Sequence, residues 1–176
     1  MKIYLAGPDV FRPDAVEFGK SLVKSLNANF GMTGLYPLDN EINDENLSKL
    51  ELANKIFLAN KAMIDECDAV LANVQPFRGP SADTGTVWEC AYAKGIGKLV
   101  WGYNIPQLCY KTRVVGNFPH DGMTIEDFNI FDNLMLVYGL DGYSPTFHEA
   151  ALSIKWKLNS ANSVQTTIKH LEDWYK

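Results

Sequence analysis

No stretch of this 176-residue chain approaches the ~18 consecutive apolar residues that a membrane-crossing helix needs. Its first residues, MKIYLAGPDVF, lack the apolar core of a signal peptide, because Gly7, Pro8 and Asp9 interrupt the run. Positive charge is not in excess: the formal net charge is -5, which argues against a surface built to grip nucleic acid phosphates. Cysteine is sparse, and Cys67, Cys90 and Cys109 show neither a C-x-x-C pair nor zinc-ligand spacing, so reduced thiols in a cytoplasmic setting are expected. His120, His148 and His170 stand apart from one another, which suits surface or satisfied-core roles better than metal ligation. Nucleotide signatures are missing as well: there is no G-x-G-x-x-G after the first apolar run, no G-x-x-x-x-G-K-[ST] and no G-x-S-x-G. These absences lead to the expectation of a cytoplasmic protein with no metal, no cofactor, no nucleic acid partner and no membrane contact.

What the chain does contain is an ordinary globular balance, 47% hydrophobic and 21% charged residues, in a length suited to one domain. Apolar runs at 2–6, 34–37, 68–74, 97–103 and 133–139 read as strands, bounded by Gly, Pro or polar residues. Helical spacing lies between them, over 13–29, 44–66, from about 84 onward through Glu89, and over 144–159. Strict alternation of apolar strands and helices predicts an α/β fold, a doubly wound five-stranded parallel sheet with helices on both faces, flavodoxin-like or Rossmann-like. Residues 1–160 form the expected single domain and 161–176 a helical tail; 104–132 shows no clear period. Ligands of such sheets collect at the carboxyl ends of the strands, here the loops 7–12, 38–41 and 74–83.

One carboxylate stands out within GPSADTGTVWECAYAKG (79–95), where Glu89 sits among Trp88, Cys90, Ala91 and Tyr92. Its structural reading is a capping box, Thr86 to Glu89, with Asp83 or Thr84 as alternative caps. Its chemical reading starts from the same place: in a first helical turn the dipole would lower its pKa and hold it ionised. A rigid carboxylate at a strand-end cleft is what covalent glycosyl transfer requires. Asp83 has the same two readings, a helix cap or a group that binds or protonates a leaving base.

Four separated motifs, KIYLAGPDVF (2–11), PLDNE (37–41), IDECDAVLANVQPFRGPSADTGTVWECAYAKGIGKLV (64–100) and NLM (133–135), resemble the nucleoside 2-deoxyribosyltransferase family. The block D-x-G-x-x-x-E-x-x-x-A from Asp83 to Ala93, preceded by PFRG, is its most specific part. The resemblance implies a ping-pong exchange of nucleobases on 2-deoxyribose, with deoxyribonucleosides and free bases as small-molecule partners. Glu89 then attacks the anomeric carbon, Tyr4 orients it, and Asp83 with Asp39, Asn40 and Glu41 lines the base and sugar pocket. Gly7 and Pro8 let backbone approach the ligand, Phe11 packs on the base, and Phe77 and Gly79 of PFRG complete the binding set. Asn133 and Met135 match residues that reach a neighbouring subunit's site, so a homo-oligomer is expected. One position departs from the pattern: Asn60 stands where many members carry an aspartate that protonates the departing base, and an amide supplies no proton near neutral pH.

Two other readings remain open at this level. A hydrolase of nucleoside 5′-monophosphates would need an anion-receiving first loop, whereas GPDVFRP offers Asp9 there and only Arg12 in favour. A non-catalytic nucleotide-sensing module on the same fold would leave Glu89 as a mere cap.

Overall fold

The computed structural model describes residues 1–39, 46–119 and 121–174; the expected site positions Asn40 and Glu41, His120 and the side chain of His170 fall outside the described set. Five strands, β1 (Lys2–Ala6), β2 (Thr33–Leu35), β3 (Ala69–Asn73), β4 (Leu99–Tyr103) and β5 (Gly142–Tyr143), form one sheet in the order β2-β1-β3-β4-β5. Every pairing is parallel, with Tyr4 opposite Leu35 on one side and Val70 on the other. Among the described residues six α-helices accompany it: α1 (Ala15–Ser25), α2 (Lys49–Glu66), α3 (Thr84–Gly95), α4 (Tyr110–Asn117), α5 (Leu134–Gly139) and α6 (Phe147–Trp174).

Side-chain alternation divides the core into two layers. Tyr4, Ala6, Val70, Ala72 and Val100 point to one face and pack with Ile64 of α2, Cys90 and Ala93 of α3, and Leu136 and Val137 of α5. Ile3, Leu5, Ala69, Leu71 and Tyr103 point to the other, against Leu22 and Val23 of α1 and Ala150, Ala151 and Ile154 of α6. β3 is buried along its whole length, as a central parallel strand must be. The strand order reverses between β1 and β3, so the cleft outside their carboxyl ends is the favoured ligand position of this topology.

Local chemistry sets the helix limits. α2 begins at Lys49, later than the expected start near 44, because Ser48 and Glu51 close a reciprocal capping box there. The helix after β1 widens over Leu26–Phe30 and stops where Gly31 adopts a left-handed φ of 65°. The expectation of a fifth strand over 133–139 is not met. That segment is the helix α5, capped by Asn133, whose side chain accepts from the Met135 N–H at 2.9 Å. Leu136, Val137 and Leu140 then reach the core at helical spacing, while the strand falls to the short Gly142–Tyr143 pair beside β4. Among its described residues the aperiodic 104–132 stretch holds one helix, α4, and α6 runs without a break from Phe147 to Trp174.

Candidate active site

Tyr4 is fully buried in the middle of β1, and its hydroxyl donates to Oε1 of Glu89 at 2.6 Å. The bond joins the strand at the topological switch point to the second turn of α3. Glu89 is itself half-buried, and among the described residues no hydrogen bond reaches its Oε2. The capping-box reading of Thr86 to Glu89 is overturned. Asp83 is the cap, with Oδ2 accepting from the Thr86 N–H at 3.0 Å and from the Thr86 hydroxyl at 3.1 Å. The helix therefore starts at Thr84, and Glu89 lies beyond the turn in which free N–H groups could hold it.

The ionisation expectation is corrected with it. Burial pushes the Glu89 carboxyl up from 4.5 to about 7; the Tyr4 hydrogen bond pulls it down, and the Asp83 charge raises it further. The dipole effect fades within the first turn, so desolvation prevails. Tyr4 is raised far above its usual range by burial and by the adjacent carboxylate, so the phenol stays a proton donor to Glu89. The pair thus contains a carboxylate that ionises near neutrality, oriented through one oxygen and open at the other.

The loops after β1 and β3 build one wall at the strand ends. Phe11 and Phe77 stack with ring centroids 5.2 Å apart and an 11° interplanar angle, and the Arg78 guanidinium covers both rings. Phe11 is therefore partnered by Phe77. Gly79 lies at the open tip of the 76–82 turn, which is closed by a Pro76–Ala82 bridge and by the Phe77 N–H donating to Ser81 O at 3.0 Å. A Cβ on Gly7 would come within 2.7 Å of the Asn73 Cβ, so only glycine lets the loop run this close to β3. Pro8 is buried beside it. Asp39 is exposed and accepts from the Tyr36 N–H at 3.2 Å.

Asn60 lies on α2, which is fixed to α3 by the edge-on contact of Phe57 with Trp88 and by the Tyr92 hydroxyl donating to Asp65 Oδ1 at 2.6 Å. Among the described residues its Oδ1 is shut off from solvent and has no hydrogen-bond partner. Asn133 and Met135 are not brought to Glu89 of their own chain. They line a cleft of about 540 Å³ with Val87, Ala91 and Lys94 of α3. Glu89 is two positions on from Val87, roughly 200° around the helix. Met135 is 76% exposed.

The sequence shows Asp9 in the first loop, but two polar pairs, Asp9 with Asn73 and Asp132 with Arg113, escaped the sequence reading. Asp9 is buried and accepts from Asn73 Nδ2 at 2.8 Å, so the first loop is filled by the chain's own carboxylate. Asn73 Oδ1 in turn accepts from the Gln75 N–H and from Asn104 Nδ2, both at 3.2 Å, joining the loops after β1, β3 and β4. The one signal available was an asparagine ending an otherwise apolar strand. The second group, Asp132 with Arg113, lies in the aperiodic stretch, where no spacing could announce it. Among the described residues no three His, Cys, Asp or Glu side chains gather as a metal site, and no helix is long and apolar enough to cross a membrane.

Comparisons with known proteins agree with this fold. The model of the family described as nucleoside 2-deoxyribosyltransferase matches residues 3–135. A solved 2-deoxyribosyltransferase of Leishmania mexicana is 32% identical, with a TM-score of 0.69, covering 88% of this chain and 96% of its own. A conserved protein of Enterococcus faecalis shares the fold at 20% identity, with a TM-score of 0.62 over 89% of this chain and 98% of its own. So does a 2-deoxyribosyltransferase of Bacillus psychrosaccharolyticus, at 21% identity and a TM-score of 0.56, over 86% of this chain and 90% of its own. An uncharacterized Schizosaccharomyces pombe protein is 32% identical over 114 residues, 64% of this chain; the match spans 54%, about half, of that relative's length.

Proposed function

Because the chain belongs to the nucleoside 2-deoxyribosyltransferase family, we propose that it exchanges nucleobases on 2′-deoxyribose through a covalent bond to Glu89. The observation that carries this reading is the Tyr4–Glu89 hydrogen bond of 2.6 Å at the switch point of the sheet, with the second carboxylate oxygen left open. Glu89 Oε2 attacks the anomeric carbon of a deoxyribonucleoside, the bond from that carbon to the base nitrogen breaks, and its electron pair leaves with the base. The oxocarbenium-like transition state is stabilised by the adjacent anionic oxygen. A second base then attacks the same carbon and releases the carboxylate, and the N–H proton it loses balances the one the first base takes up on leaving. Two inversions give net retention.

The remaining residues have parts in this cycle. Tyr4 orients the nucleophile, and Asp83, with one oxygen committed to the helix cap, is near enough for its charge to raise the Glu89 carboxyl. The unpartnered Asn60 Oδ1 is an acceptor waiting for a donor on the substrate, since a buried acceptor left open costs about 1–3 kcal/mol. The Phe11–Phe77 wall packs against the base. Asp39 belongs to the pocket wall, and Asn133 and Met135 serve the site of a neighbouring copy. Glu89 supplies the nucleophile itself, so the cycle needs no cofactor. The buried Asp9 supports transfer over hydrolysis of a nucleoside monophosphate, because it fills the loop where the phosphate would sit.

The test is to incubate the protein with deoxyinosine and adenine, and separately with a deoxynucleoside monophosphate. Deoxyadenosine from the first mixture is the expected product, with a deoxyribosyl adduct seen by intact mass during turnover. Release of sugar phosphate from the second mixture would favour the hydrolase, and silence in both the sensing module. Glu89→Ala should abolish the exchange; normal exchange by that variant removes Glu89 from the chemistry.

A further inference from the structure

Asp132 is completely buried, and both of its oxygens are in use. Oδ1 accepts from the Ser81 hydroxyl and, at 2.8 Å, from the Asn133 N–H. Oδ2 accepts from the Ala82 N–H at 2.9 Å and lies 3.7 Å from Nη2 of Arg113. Arg113 is also buried; its Nε donates to Pro80 O at 2.9 Å and its Nη1 to Leu108 O at 2.6 Å. Residues 80, 81 and 82 are therefore all held from one point. The Pro76–Ala82 bridge and the Phe77 N–H to Ser81 O bond carry that restraint to Phe77, and Asp83, the next residue, caps α3.

A buried ion pair is a poor source of stability, since desolvation offsets most of its attraction. What it supplies is geometry. We infer that Asp132, charge-paired with Arg113, is a positioning residue that clamps the 76–82 turn over the strand tips and thereby sets the affinity for the donor nucleoside. This rests on the transfer reading given above. The clamp acts on the turn and leaves the nucleophile alone, because Glu89 is fixed independently by Tyr4 of β1 and by the buried Cys90 and Ala93 of its own helix.

Asp132→Asn tests it. An amide has one acceptor oxygen and must turn its NH₂ towards an N–H or guanidinium donor, so the turn loosens while side-chain bulk is kept. The expected result is a KM for deoxyinosine raised about tenfold with kcat within about threefold of wild type. A role confined to folding would lower the active fraction, and so kcat and the melting temperature, with KM unchanged; that outcome overturns the inference. Ser81→Ala removes one bond to the carboxylate with no buried charge left unpaired, and should raise KM in the same direction by about threefold. It carries the test should Asp132→Asn fail to fold, and an unchanged KM in Ser81→Ala then rejects the clamp. Amide hydrogen exchange reads the clamp without any activity: in the variant, Ala82 and the 76–82 turn should exchange about tenfold faster while α3 beyond Cys90 keeps its protection. Equal exchange in variant and wild type overturns the clamp alone, whereas an inactive wild type overturns the transfer reading alone.

Discussion

At the residue scale the proposed exchange turns on a carboxylate that ionises near pH 7. In the proposed cycle only the ionised form attacks, so kcat/KM should rise with pH to a plateau, with its midpoint near the Glu89 value of about 7. The Tyr4 bond favours the charged form and the Asp83 charge disfavours it. Tyr4→Phe should therefore move the midpoint to higher pH and lower the rate at pH 7 by about tenfold, which a pH–rate series checks. The same burial carries a stability consequence. Because the folded value lies above the unfolded one of 4.5, ionising Glu89 costs stability, with nothing lost below pH 4.5 and the full loss present above about 7. Glu89→Gln keeps an acceptor for Tyr4 and removes the charge. It should be inactive, more stable than wild type by about 2 kcal/mol at pH 8, and equal to it at pH 4 in urea unfolding.

At the scale of elements, α3 is the part on which the site depends, and its start is set by Asp83. Asp83→Ala should destabilise the protein by about 1 kcal/mol through loss of the cap. Asp83→Asn keeps the cap and should stay within about 0.5 kcal/mol of wild type. Any loss of exchange in the asparagine variant then reports chemistry rather than folding. Removing the negative neighbour should also shift the pH–rate midpoint downward, opposite to Tyr4→Phe. α5 teaches a different lesson. NLMLVYG is a short apolar run, and periodicity cannot tell a buried strand from a buried helix at that length. The decision fell to Asn133, which caps, and to Trp101, whose ring packs over Gly142 and leaves the last strand two residues long.

At the scale of the whole molecule, the two-sided sheet puts Glu89 and the Asn133–Met135 segment on opposite flanks of α3. If those residues complete a neighbouring site, two inactive variants should complement. Mixing Glu89→Ala with Asn133→Ala under conditions that exchange subunits should restore about a quarter of wild-type activity for randomly paired dimers. Sedimentation of the wild type should show at least a dimer. Recovery near zero would place Asn133 in the service of its own chain.

Sequence alone determined the strands that are buried on both faces. KIYLA, AVLAN and LVWGY are continuous apolar runs, and a parallel sheet between helix layers is what such runs can form. It also determined the block from Asp83 to Ala93 and the pairing of chemistry with strand-end loops, because glycines, caps and carboxylates at fixed offsets are local signals. Only the tertiary structure decided the state of Glu89. Its pKa depends on Tyr4, 85 positions away in sequence, and on how much water the sheet and α2 exclude. The same holds for the Asp132–Arg113 clamp and the Asp9–Asn73 bond: each joins residues distant along the chain, and the energy of a buried charge is set by what surrounds it in space.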